Sequence, residues 1–285
     1  MDILNRCCAP DVTLDETMVP VKADISLRLI KFTPPAPISN PPVIFVPGWI
    51  TRIEAWEKVL REMTSDFVVY YVETREKISS QVNRKTPISV QSLGEDLVNL
   101  VEALELLPKS YILLGSSLGA TAILESCRSL ETDPLCIILI GPNASFHIPR
   151  AGLVLIKICH PVMYFGIRPV VKWYLKTFRL DSESDYAQYR KYCNALDVAD
   201  PFKLKKMALS MPSYQVWDFI EDIDYPALLI GASKDLLHDK DVIQSMTSKM
   251  NHATYLDMQT NAATHSPGVV YEIRKYLGRF ARAGN

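Results

Sequence analysis

The chain begins without the apolar run that forms the core of a secretory signal; "MDILNRCCAP" instead places an acid at Asp2, which predicts a protein that is not exported. A disulfide framework is missing as well. The six cysteines have no regular spacing, and Cys127, Cys136 and Cys159 sit in apolar runs where a thiol serves as a small buried hydrophobe. Together these absences point to a reducing, cytoplasmic location. The adjacent Cys7 and Cys8 could carry an acyl group or a metal, but no histidine or further cysteine lies near them, so the segment reads as an inert tail. A formal net charge of −1 excludes a basic surface covering the whole molecule and with it a general nucleic-acid binder. There is no internal repeat, no low-complexity tract and no membrane-spanning run: the most apolar segment, "GLVLIKICHPVMYFGIRPVVKWYLKTF", is interrupted by Lys157, His160 and Arg168.

What is present is the composition of an ordinary globular protein, 48% hydrophobic and 22% charged, in a chain long enough for one core with an insertion. "ISLRLIKF" alternates as a half-buried strand and, with the proline-rich "TPPAPISNPP" after it, is expected at a sheet edge. "VIFVPGW" then reads as a strand stopped by Pro47-Gly48, and "IEAWEKVLREM" as a helix with Ile53, Trp56, Val59, Leu60 and Met63 on one face. The order repeats through "FVVYYV", "YILLG", "CIILIG", "ALLIG" and "TYLDM", separated by amphipathic helices. Continuous apolar strands alternating with helices predict an α/β fold with a mostly parallel central sheet covered on both faces. Ligands of such sheets bind at the carboxyl ends of the strands. Residues 1–144 and 216–285 are expected to form this core. From 145 to 215 the alternation gives way to proline-broken helices, read as an inserted helical cap.

In "YILLGSSLGATAIL" two serines lie between glycines. The pattern G-x-S-x-G fits only if Ser117 is central, flanked by Gly115 and Gly119. The mechanics of that motif, a nucleophile on a tight strand-to-helix turn, match the strand signal before it and the helix signal after it. The plain alternative is a Gly/Ser turn capping a helix. A serine hydroxyl needs a base to accept its proton and an acid to orient that base. Asp235, in "ALLIGASKDLLHD", follows a strand by a short turn. His265, in "TNAATHSPGVV", follows the last strand in a polar loop and is the favoured base. His238 is the rival, only three residues beyond Asp235 on a turn entering a helix, and Asp239 is the rival acid. His147 and His160 fall in the cap, and His252 closes a helix.

With these residues in place the chain resembles the α/β-hydrolase superfamily from about Ile25 to Phe280, through "GSSLGA", "PPVIFVPGW", "LLIGASKD" and "THSP". The resemblance implies that Ser117 attacks an acyl carbonyl, that the backbone N–H groups of Leu118 and Trp49 bind the oxyanion, and that the cap shapes the pocket. It also marks three departures. Pro47-Gly48 stands where members often have His-Gly, Ser116 where many have histidine, and the charged "ETREKISS" where many have a glycine-containing turn. The end of an earlier strand, where some members place the acid, carries Asn143.

The expectation is a serine hydrolase of carboxylic esters or related thioesters and lactones, working through Ser117, Asp235 and His265 and an acyl-enzyme. It needs no metal or organic cofactor, its partner is a small acyl or ester substrate, and no nucleic acid is involved. The same triad could also serve C–C cleavage, elimination or acyl transfer, or the fold could be a noncatalytic ligand binder. Residues 150–215 hold eleven Lys and Arg against five Asp and Glu, a net of +6 that leaves −7 for the rest. A basic, aromatic lid of this kind suits weak peripheral contact with an anionic membrane through Trp173, Tyr174 and Phe178. The plainer reading is that these lysines form the solvated face of helices packed on the core.

Overall fold

The computed structural model describes residues 3–36, 39–179, 186–235 and 237–283. Among the described residues nine strands form one sheet: β1 (Thr13–Lys22), β2 (Ile25–Thr33), β3 (Val43–Val46), β4 (Val69–Glu73), β5 (Gln81–Val82), β6 (Ile112–Ser116), β7 (Cys136–Ile140), β8 (Ala227–Gly231) and β9 (Ala253–Asp257). The order is β1-β2-β4-β3-β6-β7-β8-β9, with β5 paired to β2. From β4 through β9 every neighbour is parallel, while β1, β2 and β5 add antiparallel pairs at one side. The strand expected at the edge, β2, is therefore an inner one, covered by β1. Strand β1 escaped the hydrophobic pattern because it is mostly exposed, and its Pro20 suits an edge, where a missing N–H leaves no neighbour unpaired.

The helices are α1 (Ile3–Arg6), α2 (Glu57–Met63), α3 (Val90–Ala103), α4 (Leu118–Ser126), α5 (Arg150–Ile158), α6 (Tyr164–Tyr174), α7 (Tyr186–Val198), α8 (Pro201–Ser210), α9 (Lys240–Lys249), α10 (Asn261–Thr264) and α11 (Pro267–Ala283). Period-two alternation divides the strand side chains between two cores. Ile44, Val46, Leu113, Leu139 and Leu229 meet α3, α4 and α9 on one face. Phe45, Leu114, Ile138 and Ile230 meet α2 and α11 on the other. The expected tail at Cys7-Cys8 is part of this second core: Cys7 is fully buried, and burial above all, with Glu57 next, pushes its thiol up to about 12.

Helices α5–α8 lie between β7 and β8. The chain leaves and re-enters the sheet region at one seam, where Ser145 bridges Gln215 and the Val216 N–H donates to the Ala144 carbonyl at 2.9 Å. Several lysines here end on backbone carbonyls. The Lys203 ammonium donates to the carbonyls of Lys77 and Ser80 at 2.5 and 2.8 Å, and Lys206 to that of Thr86 at 2.7 Å. Lys205 donates to the Lys157 and Cys159 carbonyls at the end of α5, where a helix favours positive charge. Asp181, Glu183 and Asp185, part of the sequence charge balance, and the Phe178 side chain lie outside the described residues.

Candidate active site

The parallel register brings the ends of four strands level: Ser116 pairs with Ile140, Ile140 with Ile230, and Ile230 with Leu256. Immediately past Ser116, Ser117 turns the chain into α4 with φ 50° and ψ −117°, a left-handed conformation costly for any L side chain. Its neighbours make the turn possible. A Cβ on Gly119 would lie 2.1 Å from the Val46 carbonyl oxygen, and one on Gly115 would lie 2.7 Å from the Ala120 backbone. The Ser117 N–H donates to the Ile140 carbonyl at 2.8 Å, so the strained residue is held from the next strand.

Asp235 follows β8, its N–H donating to the Ala232 carbonyl at 2.9 Å. Its Oδ1 accepts from the Leu237 N–H at 3.0 Å, an Asx-turn that folds the loop back on the carboxylate. The next residue is His238. Its Nδ1 lies 2.8 Å from Asp235 Oδ2, and its Nε2 lies 3.0 Å from Ser117 Oγ. The ring packs on Gly141, at φ +56°, where an added Cβ would sit 3.0 Å from His238 Cγ. Burial alone would raise the Asp235 carboxyl. The hydrogen bond and charge of His238, with the Leu237 N–H and the Asn261 amide at 3.2 Å, outweigh it and hold the group below the usual carboxylate range.

The imidazole expected at Ser117 was that of His265, and this is corrected. His265 closes α10, stacks on Trp56 with ring centroids 4.2 Å apart, and directs Nδ1 to the Asn261 carbonyl at 3.0 Å. It makes no hydrogen bond with Ser117 or Asp235 among the described residues. Burial, then the positive charge of Lys191, pushes its pKa down to about 4. His238 takes the place because the Asx-turn and the missing Gly141 side chain bring it back beneath Asp235, which hydrophobic pattern does not reveal. The readable signal was the Asp-x-x-His spacing itself. Asp239, the rival acid, caps α9 through the Asp241 N–H at 2.8 Å. Asn143, at the position of an alternative acid, reaches Ser117 Oγ with its amide nitrogen at 3.4 Å.

The residues expected to donate to an oxyanion are Leu118 and Trp49. Leu118 is the first residue of α4, so its N–H has no partner within the helix. Trp49 follows Gly48, whose ideal Cβ would come within 3.3 Å of Ser117 Cβ. The β-branched Ile50 after it has φ 50°, a second strained residue two positions past Gly48. The charged segment that departs from the glycine-containing turn supports this corner. Arg75 grips Asp96 with two hydrogen bonds of 2.5 Å, both side chains buried. Buried Lys77 donates to the Gly48 carbonyl at 2.7 Å and lies 3.3 Å from Glu76. The Gly48 C=O and the Trp49 N–H belong to one planar trans peptide and point in opposite directions. An ammonium on the oxygen therefore fixes the plane and polarises the N–H.

A cavity of about 270 Å³ adjoins the site, walled by Trp49, Arg52, Tyr192, Asn261 and His265; neither Ser117 nor His238 lines it. Burial raises the Tyr192 phenol, as does the Asp235 charge.

No protein-family model and no curated protein sequence matches the chain. Solved structures match it over nearly their whole length. An esterase from Thermogutta terrifontis superposes with a TM-score of 0.73 at 17% identity, covering 94% of this chain and 98% of that one. The enol-lactonase of Burkholderia xenovorans LB400 gives 0.75 at 14%, covering 91% and 99%. A bromoperoxidase from Bacillus anthracis gives 0.73 at 14%, covering 93% and 100%. The chain has the α/β-hydrolase fold.

Proposed function

We propose that the protein is a serine hydrolase of carboxylic esters or related acyl compounds such as lactones, with Ser117 as nucleophile, His238 as base and Asp235 as the acid that orients it. The observation that carries this reading is the unbroken chain of contacts from Ser117 Oγ through His238 to Asp235, 3.0 and 2.8 Å long, beginning on a strained turn at the head of a helix. Esterases and a lactonase among proteins of like fold agree with it.

His238 Nε2 accepts the hydroxyl proton as Oγ bonds to the acyl carbon, and Asp235 stabilises the imidazolium that results. The carbonyl electrons move onto oxygen, where the N–H groups of Leu118 and Trp49 receive them, the latter oriented by Lys77. Collapse of the tetrahedral species expels the alkoxide, which takes the proton from His238. Water then repeats the sequence on the acyl-enzyme, releasing the acid and restoring Ser117. In this scheme His265 is a structural residue: its Nδ1 holds the Asn261 carbonyl while the Asn261 amide holds Asp235. Residues 145–215 act as a cap over the strand ends.

Intact-mass measurement after fluorophosphonate treatment, with peptide mapping, tests reactivity and location together. One adduct on Ser117, absent in Ser117→Ala, is expected, together with turnover of p-nitrophenyl acyl esters above the Ser117→Ala background. Labelling elsewhere, or none, refutes the reading.

A further inference from the structure

Helix α6 is apolar on its outer side as well as on its inner one. In a helix that packs on a core in water, apolar side chains turn inward and charges outward. In α6 the outward residues are Phe165 and Val170, 51% and 60% exposed, with Trp173 on the same side. Its inner side holds Tyr164, Ile167 and Val171, and its two cations are occupied there: Arg168 and Lys172 both bind Asp197 at the end of α7, at 3.1 and 2.6 Å. Helix α5 extends the apolar surface with Val154, Leu155 and Ile158, the last 74% exposed, and Val162 and Met163 bridge the two. Neither helix has a buried residue. A contiguous apolar face of this kind marks an interaction site.

Its charge selects the partner. From 148 to 180 the sequence has no Asp or Glu but carries Arg150, Lys157, Arg168, Lys172, Lys176 and Arg179. With Arg168 and Lys172 paired to Asp197, the exposed Arg150, Lys157 and Lys176 rim the apolar face. A second copy of the chain would set these cations against their own kind, whereas anionic lipid headgroups neutralise them while acyl chains receive the apolar side chains. The geometry suits a surface and not a crossing. The helices have 9 and 11 residues, about 14 and 17 Å against the ~30 Å hydrocarbon core. The bend between Arg150–Ile158 and Pro161–Thr177 is 116°, and no single helix among the described residues is long and apolar enough to span a membrane.

We propose that the α5–α6 face docks on the surface of a bilayer containing anionic phospholipid, lying in its interface, and that the acyl substrate reaches Ser117 from that bilayer. The second half rests on the hydrolase reading above; the first does not.

The test is co-sedimentation with phosphatidylcholine vesicles, with and without phosphatidylserine, at low and high salt. The protein should pellet with the anionic vesicles and do so less at high salt. Phe165→Glu/Val170→Glu should lower the partition coefficient at least about tenfold, with thermal unfolding and turnover of a water-soluble ester unchanged because both side chains are exposed and outside the site. Arg150→Glu/Lys157→Glu should abolish the preference for phosphatidylserine. Failure to pellet with any vesicle, or equal binding by the Phe165/Val170 variant, overturns the docking surface. So does a wild-type dimer in light scattering that the same variant dissociates, since the patch would then pair with itself. Vesicle binding without turnover of soluble or vesicle-borne ester upholds docking and removes the hydrolase reading, and turnover without binding does the reverse.

Discussion

Exchanging the fates of two histidines separates the structure from the sequence pattern most sharply. In His238→Ala the Ser117 hydroxyl keeps only the Asn143 amide nitrogen, at 3.4 Å, which donates and cannot accept a proton. Loss of a general base costs about 10²- to 10⁴-fold. Loss of the imidazolium that Asp235 stabilises brings the fall in kcat to about 10⁴- to 10⁶-fold, or about 5 to 8 kcal/mol of transition-state stabilisation. In His265→Ala the losses are a ring stacked on Trp56 and a hydrogen bond to Asn261. These amount to about 2 to 4 kcal/mol of folding stability once the void is included. Turnover should fall less than about tenfold, because nothing attached to Ser117 has changed. The assay is p-nitrophenyl ester kinetics on both variants beside Ser117→Ala, with urea unfolding of each. A folded His265→Ala as inactive as Ser117→Ala, alongside an active His238→Ala, would refute the assignment of the base.

Three further outcomes follow from the same geometry. Gly141→Ala places a Cβ against the His238 ring in a left-handed backbone and should lower kcat about 10- to 100-fold with KM little changed, as read by steady-state kinetics. Lys77→Met removes the cation on the Gly48 carbonyl; kcat should fall about 10- to 100-fold, and Lys77→Arg should recover part of it, a rescue that simple loss of packing would not give. The folded pKa of His265, about 4 against an ordinary 6.5, means that the folded state binds fewer protons than the unfolded chain between those values. The stability this provides is complete above pH 6.5 and is lost as pH falls toward 4, about 3 kcal/mol in all. His265→Phe, which keeps the stack, should flatten that acid limb in urea titrations at fixed pH values.

The parallel strands were legible because each is a short, continuous apolar run, and β3, β4, β6, β7, β8 and β9 all lie where such runs predict them. The turn at Ser117 was legible because its glycines answer to sterics that only backbone contact imposes. The imidazole that meets Ser117 was not, because hydrophobic pattern says nothing of how a polar loop returns on itself. The placement of His238 depends on the Leu237 N–H meeting Asp235 and on the empty side of Gly141, just past the end of β7 and distant in sequence. Strand β1 was hidden by its exposure. The lysines of α8 read as solvated from composition, yet Lys203, Lys205 and Lys206 end on backbone carbonyls, since a long stem can carry its charge to any unsatisfied oxygen within reach. The second, outer apolar side of α6 was equally hidden, for an apolar run does not say how much of it the core will cover.

The seam at Ser145 and Gln215 joins the helical segment to the sheet through the chain, and the ammonium contacts of α8 join it through charge, two lysines resting on the carbonyls of Lys77, Ser80 and Thr86. Lys77, whose carbonyl receives Lys203, sends its own ammonium to the Gly48 carbonyl. One residue thus carries the helical segment on its backbone and steadies the Gly48 peptide with its side chain, so a disturbance at either end is felt at the other.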